Sequence, residues 1–486
     1  MMCMLDQIPY TDTFFTELNP HILRCIAALR GFDVPDSMSF TYCELGCGNG
    51  HSLIVYAAAN PQATFIGIDF NRDHIDHANK RAAYLGISNC RFIQADITNL
   101  EQLPTCDYIV MHGLYAWVHQ SVRNAIHGII KKSLSSNGLA LISYNAYPGW
   151  HVYEPLRMMM REYSMGLSDD PFYNAEQGIG FLEWMLERNP EYVKAVPSAA
   201  SFIKELSRHD IKYIIHEYYA DNWTPLSFSD MEHNMSEIGL TFVGQIPLYL
   251  NNGAICLPEG FDDFLALEEE VSRFEVFKDL IRNTMFRWDV YAKNEPQDFQ
   301  GFQNLHLGIV QMETNLEDRI TLPGCSPVDL DSAYHEPIMQ ALNDRHMHVK
   351  SILAYAEEKG ISMEHARNAL LNLLYTEHIK PIPDSIHSEA SRMAFKQILA
   401  RFLEEALISN VHVIPSSFSG SGIHINQDTA LMLIAITKHT NNPIEWIAEW
   451  MEIQGYGDYV DVIDKARTAY HQFIHTLPFW KRMNIV

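Results

Sequence analysis

One short segment combines an acidic side chain with glycines at alternate positions, a pattern that can hold a charged ligand. It reads Glu-Leu-Gly-Cys-Gly-Asn-Gly and supplies Glu44, Gly46, Gly48 and Gly50 after a short apolar run. Glycines let the backbone turn tightly and leave room where a Cβ would exclude a ligand. A helical pattern begins at His51, so free amide N–H groups would point into the same crevice. The segment therefore predicts a nucleotide-like ligand.

The spacing indicates which nucleotide. A dinucleotide-binding motif requires glycine or alanine where this chain has His51. The segment instead resembles motif I of class I S-adenosylmethionine (SAM) methyltransferases at every position. A second buried run ends at Asp69, where a carboxylate can accept both ribose hydroxyls. A third run ends at Asp96 and Ile97, a pair that in this family lies beside the adenine.

These three motifs predict a site for SAM, with S-adenosylhomocysteine (SAH) as the product. The alternative is a generic doubly wound domain with a glycine turn, which three motifs in register disfavour. Similar enzymes carry an aromatic residue that closes over the cofactor, and Tyr10 is its counterpart here. The predicted cofactor contacts are Tyr10, Glu44, Gly46, Gly48, Asn49, Gly50, Asp69, Phe70, Asp96, Ile97 and His112.

Apolar strands alternate with amphipathic helices up to residue 145, which predicts a Rossmann-like α/β sheet of five parallel strands. We expect the strands near 41–45, 64–69, 91–95, 107–112 and 139–144. The matching helices are expected near 51–59, 72–86 and 120–135, the last closed by Asn137-Gly138.

The rest of the chain divides into four further parts after the SAM-binding core of residues 1–149. Residues 150–216 are helical in pattern and rich in Met and aromatics, which predicts a cap or dimerisation insertion. Residues 217–258 should complete the sheet, with a last short strand through 254–257. A middle domain (259–340) and a mainly α C-terminal region (341–486) follow. The latter contains a winged-helix-like pattern and a loop at 416–422.

Composition excludes several classes of protein. The 486 residues include 35 basic and 60 acidic side chains, for a net charge of −25, and no basic cluster suits nucleic acid. No run approaches the ~20 apolar residues of a membrane span, and no signal-peptide pattern is present, so we expect a cytoplasmic protein. Cys43 and Cys47 have no second pair at zinc-ligand spacing, so we predict no metal site.

Two runs rich in aromatic and hydrogen-bonding residues follow the fourth and fifth predicted strands, where a methyl acceptor would lie. Such residues either seal the sheet against the cap or hold a cation and the aliphatic stem of a lysine. Tyr115 and Trp117 would share one face of an extended segment, where they either face the crevice or plug the sheet. The predicted catalytic residues are His112, Tyr115, Trp117, Tyr144, Asn145 and Trp150.

The same two runs, His112-Gly-Leu-Tyr-Ala-Trp-Val and Ser143-Tyr-Asn-Ala-Tyr-Pro-Gly-Trp-His, resemble bacterial methyltransferases with a "methyltransferase regulatory domain". The stretch Arg282-Asn-Thr-Met-Phe-Arg-Trp-Asp289 is also similar to that family. Its best-understood members are rickettsial lysine methyltransferases that modify an outer-membrane protein. The resemblance implies a SAM-binding domain, a helical dimerisation insertion, a middle domain and a winged-helix-like C-terminal region.

We therefore expect a SAM-dependent methyltransferase that N-methylates lysine side chains of a protein and forms a homodimer. The acidic surface would favour a basic, lysine-bearing partner. Two alternatives stay open: O- or N-methylation of a small molecule, and a non-catalytic SAM-binding scaffold that regulates partners.

Overall fold

The protein is described here from a computed structural model. It describes residues 13–100, 102–261, 263–264, 270–297, 300–312, 316–343, 345–384, 389–409, 412–439 and 441–486. Tyr10, the residue expected to close over the cofactor, lies outside the described residues.

A seven-stranded mixed sheet forms the centre of the N-terminal half. Its strands are β1 (Thr41–Leu45), β2 (Thr64–Asp69), β3 (Cys90–Gln94), β4 (Cys106–Met111), β5 (Leu134–Asn145), β6 (Thr241–Gln245) and β7 (Phe286–Ala292). They lie in the order β3-β2-β1-β4-β5-β7-β6. Strands β1 to β5 are parallel to one another, and β7 is antiparallel to both β5 and β6. The predicted Rossmann-like sheet is confirmed.

Helices cover both faces of this sheet: α1 (Pro20–Leu29), α2 (His51–Ala59), α3 (Arg72–Leu85) and α4 (Gln120–Ser133). Helix α2 contains no Asp, Glu, Lys or Arg and is buried along its whole length. It is therefore stabilised by packing on all sides and not by one apolar face. Helix α3 begins at the cap residue Asn71, whose side chain accepts from the backbone N–H of Asp73. It ends at Gly86, whose φ of +79° suits glycine.

The structure differs from the predicted core at one helix end and at one predicted strand. Helix α4 ends at Ser133, before the expected Asn137-Gly138 stop, because the chain pairs with β4 from Leu134 onwards. The strand expected at 254–257 is wrong: α11 (Gly253–Cys256) stands there, capped by the Asn252 side chain, which accepts from Ala254 N–H. The sheet is instead completed by β7, from a later part of the chain.

Residues 150–216 are helical, as predicted. They contain α5 (Glu154–Ser164), α6 (Pro171–Glu187), α7 (Glu191–Ala195), α8 (Pro197–Leu206) and the first part of α9 (Ile211–Tyr219), and α10 (Phe228–Ser236) then leads back to the sheet. This insertion has its own apolar core, to which Trp150, Met160 and Tyr218 contribute. The domain boundaries given above stay a prediction.

The C-terminal half is mainly helical. After α12 (Val271–Arg282) and α13 (Gln300–Gln303), a small sheet of β8 (His306–Gly308), β11 (Met347–His348) and β12 (Lys380–Ile382) packs with three helices, and its likeness to a winged helix stays a prediction. Those helices are α14 (Ser332–Leu342), α15 (Val349–Glu358) and α16 (Met363–Tyr375), and the strands β9 (Arg319–Ile320) and β10 (Val328–Asp329) form a separate pair.

A last helical group packs back on the Rossmann-like core. It contains α17 (Glu389–Ile408), α18 (Gln427–Lys438), α19 (Pro443–Ile453), α20 (Tyr459–Phe473) and α21 (Leu477–Arg482). Within the expected loop at 416–422, residues 417–420 form the turn of a hairpin, and the others belong to its strands β13 (Val413–Ser416) and β14 (Ser421–His424). The Gly420 carbonyl in this turn accepts from the Asn60 side chain just after α2.

Candidate functional site

The glycine loop between β1 and α2 leaves an open backbone at the end of the sheet. Gly46, Gly48 and Gly50 have φ angles of +74°, +52° and +67°, a region that side chains disfavour. A Cβ at Gly50 would lie 2.3 Å from the Phe92 ring, so that glycine is needed for packing. A Cβ at Gly48 would meet no atom within 4 Å. The loop thus presents Gly48 to the space that a ligand would occupy.

Asp69, at the end of β2, ties this loop to the neighbouring strand. One carboxylate oxygen accepts from Gly48 N–H at 2.9 Å, and the other accepts from Asn71 N–H at 2.9 Å. The side chain is buried, and His74 Nδ1 lies 3.5 Å from it. Each oxygen keeps a further lone pair that can accept from a ligand hydroxyl.

Glu44 lies at the end of β1 and is buried. Burial, followed by the negative charge of Asp69, raises the pKa of its carboxyl to about 8. Without a cation nearby, the folded protein therefore keeps Glu44 largely protonated at neutral pH. A positively charged ligand group beside it would draw off that proton, so the site fits the cationic amino end of SAM.

The remaining predicted cofactor residues surround the same sheet edge. Asn49 is a half-buried member of the glycine loop, and Phe70 follows β2 with half of its surface exposed. Asp96 is exposed and caps a short 3₁₀ helix that begins at Ile97; its Oδ1 accepts from Thr98 N–H at 2.9 Å. Their contacts with a cofactor stay a prediction.

His112 follows β4 and is packed between aromatic rings. Its ring stacks on Trp288 at 4.2 Å between centroids and an interplanar angle of 12°, and Phe15 lies 4.0 Å away. Nδ1 is hydrogen-bonded to Ser143 Oγ at 2.9 Å. Burial lowers the pKa of His112 to about 4, so the imidazole is neutral at physiological pH.

Asn145 is the last residue of β5 and is 2 % exposed. Because side chains alternate along a strand, it shares a face with Ser143 and hence with His112. Its carboxamide Oδ1 is buried and has no hydrogen-bond partner among the described residues. Buried acceptors are rarely left unpaired, so this oxygen suits a donor supplied by a ligand.

Tyr144 points to the opposite face of the sheet. Its hydroxyl donates to Asp289 at 2.6 Å, and both side chains are buried. Arg287 binds Asp289, Asp279 and Glu275 at 2.9, 2.7 and 2.7 Å. Burial raises the pKa of Tyr144 far above its usual range. This geometry favours a structural role for Tyr144 in an ionic network.

Tyr115 also lies in the core, contrary to the expected extended segment. Residues Tyr115–Trp117 form a 3₁₀ helix, in which Tyr115 is fully buried. Its hydroxyl shares a 2.7 Å hydrogen bond with His127 Nε2 on α4, and its carbonyl accepts from Arg123. The two predicted partners, Tyr115 and Trp117, therefore do not share one face.

Trp117 and Trp150 meet the helical insertion rather than His112. Trp150 is buried in the insertion core, with Trp223 5.3 Å away at 81°. Trp117 approaches Trp223 from the loop after β4 at 6.4 Å. The Arg157 guanidinium lies 4.8 Å over the Trp223 ring. These indoles form an aromatic cluster that already holds a cation from the chain itself.

Two family models match consecutive parts of the chain. Residues 36–215 match a "Methyltransferase domain", and residues 210–293 match a "Predicted methyltransferase regulatory domain". The chain belongs to the class I methyltransferases with a regulatory domain. The predicted cofactor, SAM, and the predicted family are thereby confirmed.

Individual relatives and a solved structure are similar to large parts of the chain. An uncharacterized protein of Synechocystis is 26 % identical over 458 residues, covering 92 % of this methyltransferase and 90 % of the relative. An uncharacterized protein of Rickettsia prowazekii is 28 % identical over 60 % of this chain and 52 % of its own. The fold is similar to that of PKMT2 from Rickettsia typhi in complex with AdoHcy (TM-score 0.71, 20 % identity), covering 98 % of this chain and 99 % of that one.

Four residues of this methyltransferase's candidate site were missed as site residues from the sequence: Phe15, Ser143, Phe286 and Trp288. Phe286 and Trp288 lie on one face of β7 and wall His112. The alternating run Phe286-Arg-Trp-Asp-Val-Tyr-Ala292 is typical of a strand and could have identified them.

Neither a metal cluster nor a membrane helix emerges from the described ranges. Within them, no group of three or more His, Cys, Asp or Glu side chains is arranged to hold a metal ion. None of the helices there combines the length and the apolar character needed to span a bilayer.

Proposed function

We propose that the methyltransferase N-methylates lysine side chains of a protein, with SAM as the donor. The observation that carries this proposal is the unpaired carboxamide oxygen of Asn145 beside neutral His112, at the end of the sheet where the methyl acceptor must lie. An amine N–H is the donor that such an oxygen lacks.

The residues present fit SAM. The Gly48 backbone would lie against the methionine end, Glu44 would pair with its ammonium, and Asp69 would accept from the ribose hydroxyls. Asp96 and Ile97 would flank the adenine. When bound, SAM supplies a methyl group on a sulfonium, activated for in-line attack by a nucleophile.

The chain's own residues prepare that nucleophile. A lysine ammonium with a reference pKa of ~10.4 must lose a proton before it can attack. The walls formed by Phe15, Phe286 and Trp288 exclude water and disfavour the charged form of the amine. Asn145 Oδ1 would then accept a hydrogen bond from an N–H of the neutral amine and so orient the nitrogen lone pair. The ammonium proton leaves to solvent as the amine enters these walls, because His112, with a pKa of about 4, is too weak a base to accept it at neutral pH.

A protein acceptor is favoured over a small molecule by the rim of the crevice. Gly113, next to His112, is exposed, so the crevice is open to solvent beside the residues proposed to face the acceptor. A net charge of −25 favours a basic, lysine-bearing partner. The likeness to PKMT2 over nearly the whole chain supports the same assignment.

We also propose that the protein is a homodimer and that it is located in the cytosol. Helices α5 and α6 carry an exposed aromatic strip, in which Tyr163 stacks on Phe181 at 4.2 Å and Trp184 is 48 % exposed. Such a strip suits association with a second copy. Light scattering at micromolar concentration should give twice the 55.7 kDa chain mass, and a purely monomeric species would contradict the dimer.

The test is incubation with methyl-labelled SAM and a lysate from the same source. Label in protein, located on lysine by peptide mass spectrometry, supports the proposal. Label in small extractable material identifies the metabolite methyltransferase instead, and no label at all favours the regulatory scaffold. An Asn145→Ala variant is the matched control, since it should bind SAH normally and lose at least about 10-fold in labelling.

A further inference from the structure

We propose that Glu405 on the C-terminal helix α17 positions the glycine loop for SAM, acting through Arg81 and His51. The inference rests on the proposed cofactor site but concerns residues far from it in the sequence. By this proposal the C-terminal region contributes to cofactor affinity.

The first link joins α17 to α3. Arg81 donates from Nε and Nη2 to the two carboxylate oxygens of Glu405, at 2.9 and 2.8 Å. The two side chains are only 8 % and 15 % exposed. A bidentate pair of this kind fixes the plane of the guanidinium as well as its position. The ion pair therefore leaves Arg81 little freedom.

The second link joins α3 to the glycine loop. The remaining end of the same guanidinium, Nη1, donates to His51 Nδ1 at 2.8 Å, and both residues are buried. Because arginine has no acceptor, Nδ1 must be the unprotonated nitrogen of His51. His51 is the first residue of α2 and follows Gly50 directly. Arg81 thus holds both the ring orientation and the tautomer of the residue at which the loop ends.

The packing around these links is continuous. Arg401 donates to the Tyr84 carbonyl at 3.0 Å and lies 2.5 Å from where a Cβ of Gly86 would be, at the end of α3. Phe402 lies 5.9 Å from the Arg81 guanidinium. Phe402 also belongs to the apolar core that contains Phe92, the residue packed against Gly50. Helix α17 therefore packs, through both polar and apolar side chains, against the residues that hold the glycine loop in place.

The consequence is specific to cofactor affinity. Without the Glu405 carboxylate, buried Arg81 loses its counter-charge and is drawn toward solvent, which releases His51. The loop then samples geometries in which the Gly48 and Gly50 backbone no longer matches the cofactor. Weakened binding follows, while the residues that face the acceptor keep their places.

The experiment measures SAH affinity by calorimetry for the full chain and for Glu405→Gln. We expect affinity to fall by about 10-fold, the effect of losing one charged hydrogen-bonded pair. The matched control is Glu404→Gln, one residue away. Its partner is Lys438 on α18, and these side chains are 48 % and 36 % exposed, so its SAH affinity should stay within twofold of wild type.

A double-mutant cycle distinguishes an effect relayed from Glu405 through Arg81 to His51 (the relay) from a general loss of stability. If Glu405 acts through His51, then Glu405→Gln should have little further effect on SAH affinity in a His51→Ala background. Additive effects would overturn the proposal, as would a lowered melting temperature with unchanged SAH affinity. Should Glu405→Gln fail to fold, Arg81→Lys keeps the positive charge but cannot bind both partners, and it should weaken SAH equally.

The same measurements distinguish failure of the proposed cofactor site from failure of the relay. A wild-type chain that binds neither SAM nor SAH would overturn the proposed cofactor site and this relay with it. A wild-type chain that binds SAH no better than Glu405→Gln would overturn the relay alone.

Discussion

Binding of SAH or SAM should release a proton from Glu44. In the free protein the pKa of this carboxyl is raised to about 8 by burial and by the charge of Asp69. At pH 7 the group is therefore about nine-tenths protonated. A ligand ammonium placed beside it would return its pKa toward the ordinary range, because an opposite charge favours the ionised form. Close to one proton should leave for each ligand bound.

The magnitude follows from that pKa. If the bound carboxyl is ionised throughout, affinity should rise about ninefold between pH 6 and pH 7. Measurements kept at or below pH 7 leave the ligand's own amine protonated, since α-amino groups titrate near pH 8. Calorimetry in two buffers of different ionisation enthalpy counts the protons released.

The control is Glu44→Gln, which keeps the shape of the side chain but has no proton to release. It should bind SAH weakly and with the same affinity at pH 6 and pH 7. Wild-type binding with no proton release at pH 7, or an equal pH dependence in the variant, would refute the reasoning. The sign for stability is opposite: because the folded state holds this proton more tightly, the ligand-free protein should lose stability as pH rises from about 4.5 to 8.

Three further outcomes are expected. Asp69→Ala removes the acceptor for the ribose and for Gly48 N–H, and calorimetry should show SAH binding weakened by about 1.5–3 kcal/mol in a folded variant. Tyr115→Phe removes the hydroxyl that bonds to the side chains of His127 and Asn234, so unfolding should cost about 1 kcal/mol less while turnover stays within twofold; a ~100-fold loss would restore a catalytic role. Arg287→Met leaves the buried carboxylates of Asp279 and Asp289 without their cation, while Lys278 still pairs with Glu275, and urea denaturation should show a loss of about 3–5 kcal/mol, with a loss below 1 kcal/mol contradicting the network.

The glycine loop and the strand end at Asp69 could be predicted from the sequence because their signals are local. Gly46, Gly48 and Gly50 have positive φ angles, a requirement that glycine meets and that sequence spacing reveals. Asp69 ends a strand that is buried after its first residue, and parallel strands bring their carboxyl ends to one edge of the sheet. Neither inference needs knowledge of distant contacts.

The acceptor half was less predictable because its geometry depends on distant pairing. Composition placed Tyr144 and Asn145 in one candidate set, but the strand pleat sends them to opposite faces. The side chains that surround each face of β5 come from its partner strand β7. That strand lies about 140 residues later in the sequence, where Phe286 pairs with Asn145. For Tyr115, a 3₁₀ turn replaced the assumed extended segment, and that turn reversed the predicted orientation.

Strand β7 also changes the meaning of the regulatory domain. The methyltransferase domain matches residues 36–215, yet β6 and β7 come from beyond that range, and β7 pairs with β5 along seven residue pairs. One face of β7 supplies Trp288 to the wall around His112, and the other supplies Arg287 to the buried ionic network. A chain that ended at residue 215 would leave β5 as an exposed, apolar edge and His112 without its stacked partner. The segment that the family calls regulatory is therefore part of the methyltransferase sheet, and any regulation through it would act directly on the wall around His112, where we propose that the acceptor lies.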